Sequence, residues 1–464
     1  MNIHDKRSKM LREEPIGQLL IRFSIPAIVG MMVNALYNVV DRIFIGRGVG
    51  QLAIGGIFVG YPISLILMAF GMLIGIGGNS LVSIRLGEKR KDEAELILGN
   101  ALVALLGISF AISIIGLLFL EPLLISFGAS ENILPYSYDY MKIILIGAPL
   151  QGIGFGMNNF IRGEGNPKIA MGTMLIGAIL NTILDPIFIF IFNMGVKGAA
   201  LATIISQGVS ALWVMRYFIK GKSILKIKRE NLRLRKNIIK DILSIGFAPF
   251  GMQIGASMVT VLLNNSLKTY GGDIATASMG VIHSITMMIL MPLFGINQGV
   301  QPIIGFNYGA KQYDRVKKAL RLAIIGATTI VTIGFLITQI LPEKLVQVFI
   351  ENEKDLSEIL GVATTGLRIY LAMLPIIGFQ IISSNYFQAT GKPKYAMVLS
   401  LSRQVLVLIP ALLVLPKIFG LTGVWLAGPT SDLTTSIITG IFLIKDLRQL
   451  GNDVNLNNKI IEER

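Results

Sequence analysis

Long apolar runs recur from about residue 17 to about residue 444, each closed by a short loop carrying Gly, Pro or charge. A helix needs about 20 mostly apolar residues to cross roughly 30 Å of hydrocarbon. About twelve such runs are readable, with limits near 17–45, 54–84, 93–119, 135–160, 168–192, 196–219, 241–267, 275–305, 318–341, 359–387, 395–415 and 420–444. Membrane strands would show only about ten-residue alternating segments. The expected fold class is therefore all-α: a polytopic membrane protein of about twelve transmembrane helices.

The loops between the runs repeat. Gly87-Glu88-Lys89 returns as Gly309-Ala310-Lys311, and Gly165-Asn166-Pro167-Lys168 as Gly391-Lys392-Pro393-Lys394. Pro26 and Pro249, and Gly198 and Gly423, keep nearly the same offset. A duplicated six-span unit accounts for this register, and because six is even, the second copy enters the membrane in the same direction as the first. Parallel repeats of this kind face one another across a cleft and alternate access by rocking. The expected organisation is an N-terminal six-helix lobe over 1–219, a basic linker over 220–240 and a C-terminal six-helix lobe over 241–464.

Composition agrees with a membrane chain. Of 464 residues 53% are hydrophobic and 15% charged, against roughly 25% charged in a soluble domain. The net charge of +15 would suggest nucleic acid if it were clustered. Instead Lys and Arg fall in alternate loops: Lys6 to Arg12, Arg85 to Lys91, Arg162 and Lys168, the 220–240 stretch, Lys311 to Arg321, Lys392 and Lys394, and the C-terminal tail. Basic residues are retained on the inner side, so both termini are expected to be cytoplasmic, in a cell membrane, with the charge topological and no nucleic acid bound. The first apolar run is too long for a cleavable signal peptide. There is no cysteine, and two histidines, His4 and His283, cannot build a multi-histidine metal site.

Ionisable groups within hydrocarbon are costly and survive mainly where they line a cavity or relay. The first span places Asn34, Tyr37, Asn38 and Asp41 on one stripe, and the fifth places Asn181 and Asp185 one turn apart with Met174 on the same face. Pro186 directly after Asp185 should bend that helix. The sixth span adds Thr203, Ser206, Gln207 and Ser210, and the fourth ends with Asn158 and Asn159. Two carboxylates meeting in a poorly hydrated pocket cannot both ionise cheaply. Such a pair can take up and release a proton, or hold Na+ with amide and hydroxyl oxygens when both are ionised. The bland alternative for Asp41 is a purely structural pairing with a cation.

The second half keeps the polarity without the charge. Asn264 stands where Asp41 would recur, and the ionisable groups there are His283, Arg368, Arg403 and Asp432, with Gln298, Gln301, Gln380 and Asn385 nearby. Arg403 and Asp432 could neutralise each other across two spans or contact substrate. Asn34, Asn38, Met174, Gln207, Asn264, Gln298, Arg403 and Asp432 are thus candidates for a substrate surface. No Walker motif is present, so ATP is not the direct energy source, and no organic cofactor is implied. No hydrolytic constellation supports an enzyme.

The combination of duplicated six-span halves, the Pro26, Tyr37, Asp41 spacing, the Arg85-Leu86-Gly87-Glu88-Lys89-Arg90 run and the Arg162-Gly163-Glu164-Gly165-Asn166-Pro167-Lys168 run resembles the multidrug and toxic compound extrusion (MATE) family. Acidic residues confined to the N-terminal half resemble its DinF branch, with the MepA-like exporters. The Arg85 to Arg90 run is only approximately the family form. The resemblance implies a cation or proton site of Tyr37, Asp41, Asn158, Asn181, Asp185 and Thr203, with H+ or Na+ as the coupling ion and Na+ ligands among Asp41, Asp185, Asn181 and Thr203. It also implies export of amphipathic, cationic small molecules, with the lipid bilayer as surroundings and no obligate protein partner. A flippase for a lipid-linked saccharide is the alternative within transport, and a membrane enzyme acting on a lipid the alternative outside it.

Overall fold

The computed structural model describes residues 3–462 apart from 50, 128, 130, 222 and 349–352; at some helical positions, 34 and 38 among them, it describes the backbone alone. All its regular elements among the described residues are helical: α1 (Ile3–Glu13), α2 (Ile16–Gly48), α3 (Gln51–Gly87), α4 (Lys91–Leu118), α5 (Leu120–Ser126), α6 (Leu134–Gln151), α7 (Asn158–Gly163), α8 (Pro167–Pro186), α9 (Gly195–Ile219), α10 (Lys236–Gly309), α11 (Tyr313–Ile340), α12 (Pro342–Gln347), α13 (Glu353–Tyr370), α14 (Leu374–Ala389), α15 (Pro393–Leu401) and α16 (Ile409–Glu462). Three π-helical segments, Gly152–Met157, Ile187–Ile191 and Ser402–Leu408, and one 3-10 turn, Arg229–Leu232, complete the order.

Among the described residues ten stretches are long and apolar enough to cross a membrane, or eleven if Leu360–Tyr370 and Leu374–Ala389, bent by 47°, form one broken span. One of the ten, Pro393–Leu450, has 58 residues, about 87 Å at 1.5 Å per residue, far beyond one bilayer. It reverses at Gly420, whose φ of 57° and ψ of −135° leave the helical region, as Gly272 does within α10 at φ 66° and ψ −158°. These left-handed turns suit glycine because no Cβ clashes there. Dividing the 58-residue stretch at Gly420 brings the described spans to the twelve read from hydropathy.

The chain forms two compact units, Met1–Glu14 with Ile25–Phe250, and Pro15–Ser24 with Gly251–Arg464. Unit one packs α6 and α8 against α9 and α3 against α4 and α6. Lipid gives apolar faces no reason to associate, so close approach of small residues does the work. Gly147 of α6 faces Ile204 of α9 so closely that a Cβ would lie 2.3 Å from its side chain, and Ala148, Ala199 and Ala200 are buried in the same cluster as Tyr140, Met141 and Ile144. In unit two α14 packs on α11 and α16. The duplication is visible in the backbone: left-handed corners occur at Lys89 and Gly165 and again at Lys311 and Gly391.

The basic stretch 220–240 is stitched to unit one rather than suspended as a tether. Glu164, buried between α7 and α8, accepts hydrogen bonds from the Ser223 hydroxyl (2.6 Å), the Ile224 amide (2.9 Å) and the Leu225 amide (3.2 Å). It also takes the Tyr217 hydroxyl and an ion pair from Arg7 of α1 at 2.9 Å. Buried Glu95 holds the Lys228 ammonium at 2.6 Å and the Lys226 amide at 3.2 Å, and Asn100 Oδ1 accepts the Arg235 amide at 2.7 Å. Burial pushes the Glu164 carboxyl above its ordinary value, against the lowering effects of Ser223, Tyr217, Arg7 and Leu225.

Candidate functional site

Four helices of unit one converge on the carboxylates. α2 supplies Tyr37 and Asp41 one turn apart, α8 supplies Asn181 and Asp185 one turn apart, α9 supplies Thr203 and Ser206, and α6 supplies Tyr140. Asp185 has 0% of its surface exposed, Asn181 2%, Thr203 6% and Asp41 8%. The two carboxyl groups are close enough to interact. Two carboxylates this close cannot both ionise cheaply unless a proton or a cation sits between their oxygens.

The surrounding bonds fix the ligand directions. Asn181 Nδ2 donates to Asp185 Oδ1 at 3.3 Å and to Thr203 Oγ1 at 3.3 Å. Thr203 donates to the Ala199 carbonyl at 3.0 Å, and Tyr140 of α6 is buried beside it. With the Asn181 amide nitrogen engaged, its Oδ1 is left buried without a hydrogen-bond partner among the described residues, as are Asp185 Oδ2, Ser206 Oγ and Asn158 Oδ1. Buried polar atoms are normally satisfied, and orphaned Asn181 and Asp185 oxygens next to a second carboxyl group suit a hard cation or a proton. No ion pair reaches Asp185 among the described residues.

Of the residues singled out from sequence, Tyr37, Asp41, Asn181, Asp185 and Thr203 come together here. Asn158 is buried at the start of α7, after a π-helical turn, and no hydrogen bond joins it to the cluster. Met174 packs on Gly30 of α2, where a Cβ would meet its sulfur at 2.8 Å. Gln207 is half-buried on α9. The side chains of Asn34 and Asn38 lie outside the described residues. Asn264, exposed, and Gln298, half-buried with Oε1 unpartnered, belong to unit two, as do Arg403 and Asp432. The last two pair, Arg403 Nε to Asp432 Oδ1 at 2.7 Å. Pro186 does change the helix, with α8 passing into the π-helical Ile187–Ile191 directly after Asp185. Sequence reasoning missed Tyr140. The signal was a hydroxyl on the fourth span at a depth able to meet Thr203, unremarkable because Tyr is common near membrane interfaces.

An all-helical, internally duplicated chain with carboxylates sealed inside its spans is a polytopic membrane protein of the transporter class. The MatE family model matches residues 26–187 and 249–413, and the chain belongs to that family of multidrug efflux transporters; it is a transporter and not an enzyme. Among curated relatives, the multidrug export protein MepA of Staphylococcus haemolyticus (strain JCSC1435) is 29% identical over 420 residues, 90% of this chain and 91% of its own. Among solved structures, the MATE multidrug transporter DinF-BH is 41% identical with a TM-score of 0.86, covering 92% of this chain and 95% of that one. A MOP superfamily transporter from Pyrococcus furiosus Vc1 (DSM3638) gives a TM-score of 0.90 at 26% identity, covering 96% and 99%.

Proposed function

We propose that this transporter exports amphipathic, cationic small molecules across the cell membrane by antiport with H+ or Na+. Asp41 and Asp185 carry the coupling, and both termini lie in the cytoplasm. The observation that supports this reading is the buried carboxyl pair with orphaned amide, hydroxyl and carboxylate oxygens around it. A coupling ion entering the pair favours one arrangement of the machine, and substrate favours the other. Each site then needs only differential affinity for the two states to drive exchange. Asn181 and Thr203 orient the oxygens that take Na+; in the proton-coupled case the same pair shares the proton. The MepA and DinF-BH relatives, both multidrug transporters by name, support the substrate class.

The test is efflux of a fluorescent organic cation from proteoliposomes under separately imposed pH and Na+ gradients. Export should follow at least one gradient, and Asp41→Asn and Asp185→Asn should each abolish it, leaving the detergent-extracted protein monodisperse. Gradient-driven export that survives both substitutions removes the pair from the mechanism.

A further inference from the structure

Unit two contains a second charged constellation, and its geometry is that of an anion receptor with one ligand position open. Arg403 is ten residues beyond Pro393, where α15 begins, about 15 Å along the helix and so near the middle of roughly 30 Å of hydrocarbon. Asp432 is twelve residues beyond the Gly420 turn, a comparable depth. Arg403 lies in the π-helical segment Ser402–Leu408, a geometry that re-aims side chains and recurs at functional sites. Ser431 donates to the Arg403 carbonyl at 2.7 Å, fastening the distorted turn to α16. Tyr370 packs its ring on Gly428, one turn before Asp432, giving the pair an aromatic wall.

A salt bridge built only to neutralise a buried charge would use the planar fork of the guanidinium bidentately. Here only Nε is engaged, by Asp432 Oδ1 at 2.7 Å. Among the described residues Nη1 and Nη2 donate to nothing, and the side chain keeps 25% of its surface open while that of Asp432 keeps 7%. The carboxylate holds one edge of the fork and the other edge is presented outward, with parallel donors spaced for two oxygens of one anionic group. Charge at this depth marks a substrate path by default, and substrate sites in transporters of repeated architecture lie near the midplane.

We propose that Arg403, anchored by Asp432 and walled by Tyr370, is a substrate subsite that takes the carboxylate or sulfonate of a zwitterionic amphiphile. The inference rests on the export reading and extends it: cationic substrates need no partner here, whereas solutes carrying both charges would use Arg403 for the negative one. Rhodamine B and its ethyl ester test this, since they share the cationic xanthene and differ in the free carboxylate. Binding is read by fluorescence anisotropy on purified full-length protein, and transport in proteoliposomes.

Arg403→Gln should weaken binding and transport of rhodamine B by about ten-fold or more, the scale of a charge-assisted hydrogen bond, and leave the ester within about two-fold. Arg403→Met with Asp432→Asn removes both charges without orphaning either and should give the same split. Equal effects on the two dyes in the double variant, with an unchanged melting profile, overturn the subsite, as does wild-type protein that binds the ester and not rhodamine B. Binding of both dyes with the expected split but no gradient-driven transport sinks the export reading and leaves the anion subsite standing.

Discussion

Asp185 is the most enclosed of the groups in the carboxylate cluster, and Asn181 is its keeper: one amide nitrogen spans the acid and Thr203, beside which Tyr140 is buried. Tyr140→Phe removes the buried hydroxyl beside Thr203 and should cost at most about 1 kcal/mol of stability, readable as a lower melting temperature, and, on the proposed function, raise the ion concentration for half-maximal export. At the loop between α7 and α8, Glu164 titrates above the ordinary glutamate range because its burial outweighs the lowering pull of Ser223, Tyr217 and Arg7. A carboxyl raised in the folded state contributes stability that is complete below its unfolded value and is lost as pH rises through the folded one. Melting temperatures of wild type should therefore decline as pH climbs from about 4.5, and the difference from Glu164→Gln, which cannot titrate, should change along the same limb. At this scale Asp41, Asn181 and Asp185 were legible because charge and amide are rare inside apolar runs. Glu164 was not, because an acid in a Gly-rich loop reads as solvated until the linker is folded over it.

At the level of elements, hydropathy located the spans but not their irregularities. Pro186 announced the change after Asp185, whereas Ser402–Leu408 contains neither Pro nor Gly and gave no warning of a π-helical turn. The two units fasten the same loop to the same terminal helix with opposite chemistry. Unit one uses an acid in the loop, Glu164, and Tyr217 near the end of α9. Unit two uses Lys392 in the loop and Asp446 on α16, 2.5 Å apart, with the Tyr386 hydroxyl donating to the same carboxylate at 2.7 Å. Breaking a buried pair from one side costs about 3–5 kcal/mol; with Lys392 23% exposed, Asp446→Asn should cost less, about 2 kcal/mol. Thermal unfolding followed by size-exclusion loss is the measurement, and Lys392→Met with Asp446→Asn should recover part of it.

For the whole molecule, the sequence register foretold the duplication because the loops that turn the chain need left-handed corners at equivalent places, Lys89 with Lys311 and Gly165 with Gly391. The charge asymmetry was equally readable, with Asp41 of unit one answered by an uncharged Asn264 in the register of unit two. A ligand that binds only the folded state raises apparent stability by RT ln(1 + [L]/Kd), about 2.7 kcal/mol at a hundred-fold excess over Kd. If Na+ is the coupling ion, melting temperature should rise with NaCl relative to equal choline chloride, and the rise should vanish in Asp185→Asn. A proton-coupled protein should show no Na+ specificity, and Asp185→Asn should remove part of the pH dependence of its melt, leaving the share that Glu164 contributes.

The seat made for Glu164 bears on how the protein is born. Its partners reach from Arg7 to Leu225, so at ribosomal speeds of about 5–20 residues per second the amino-terminal helix waits roughly ten to forty seconds before the last piece of its clasp is translated. Once Leu225 has emerged, every segment that closes on this acid exists, and the first bundle can seal while its sister is still being made. Biogenesis then has a natural halfway point, and an arrested nascent chain whose residues up to 250 have cleared the ribosome should already resist protease.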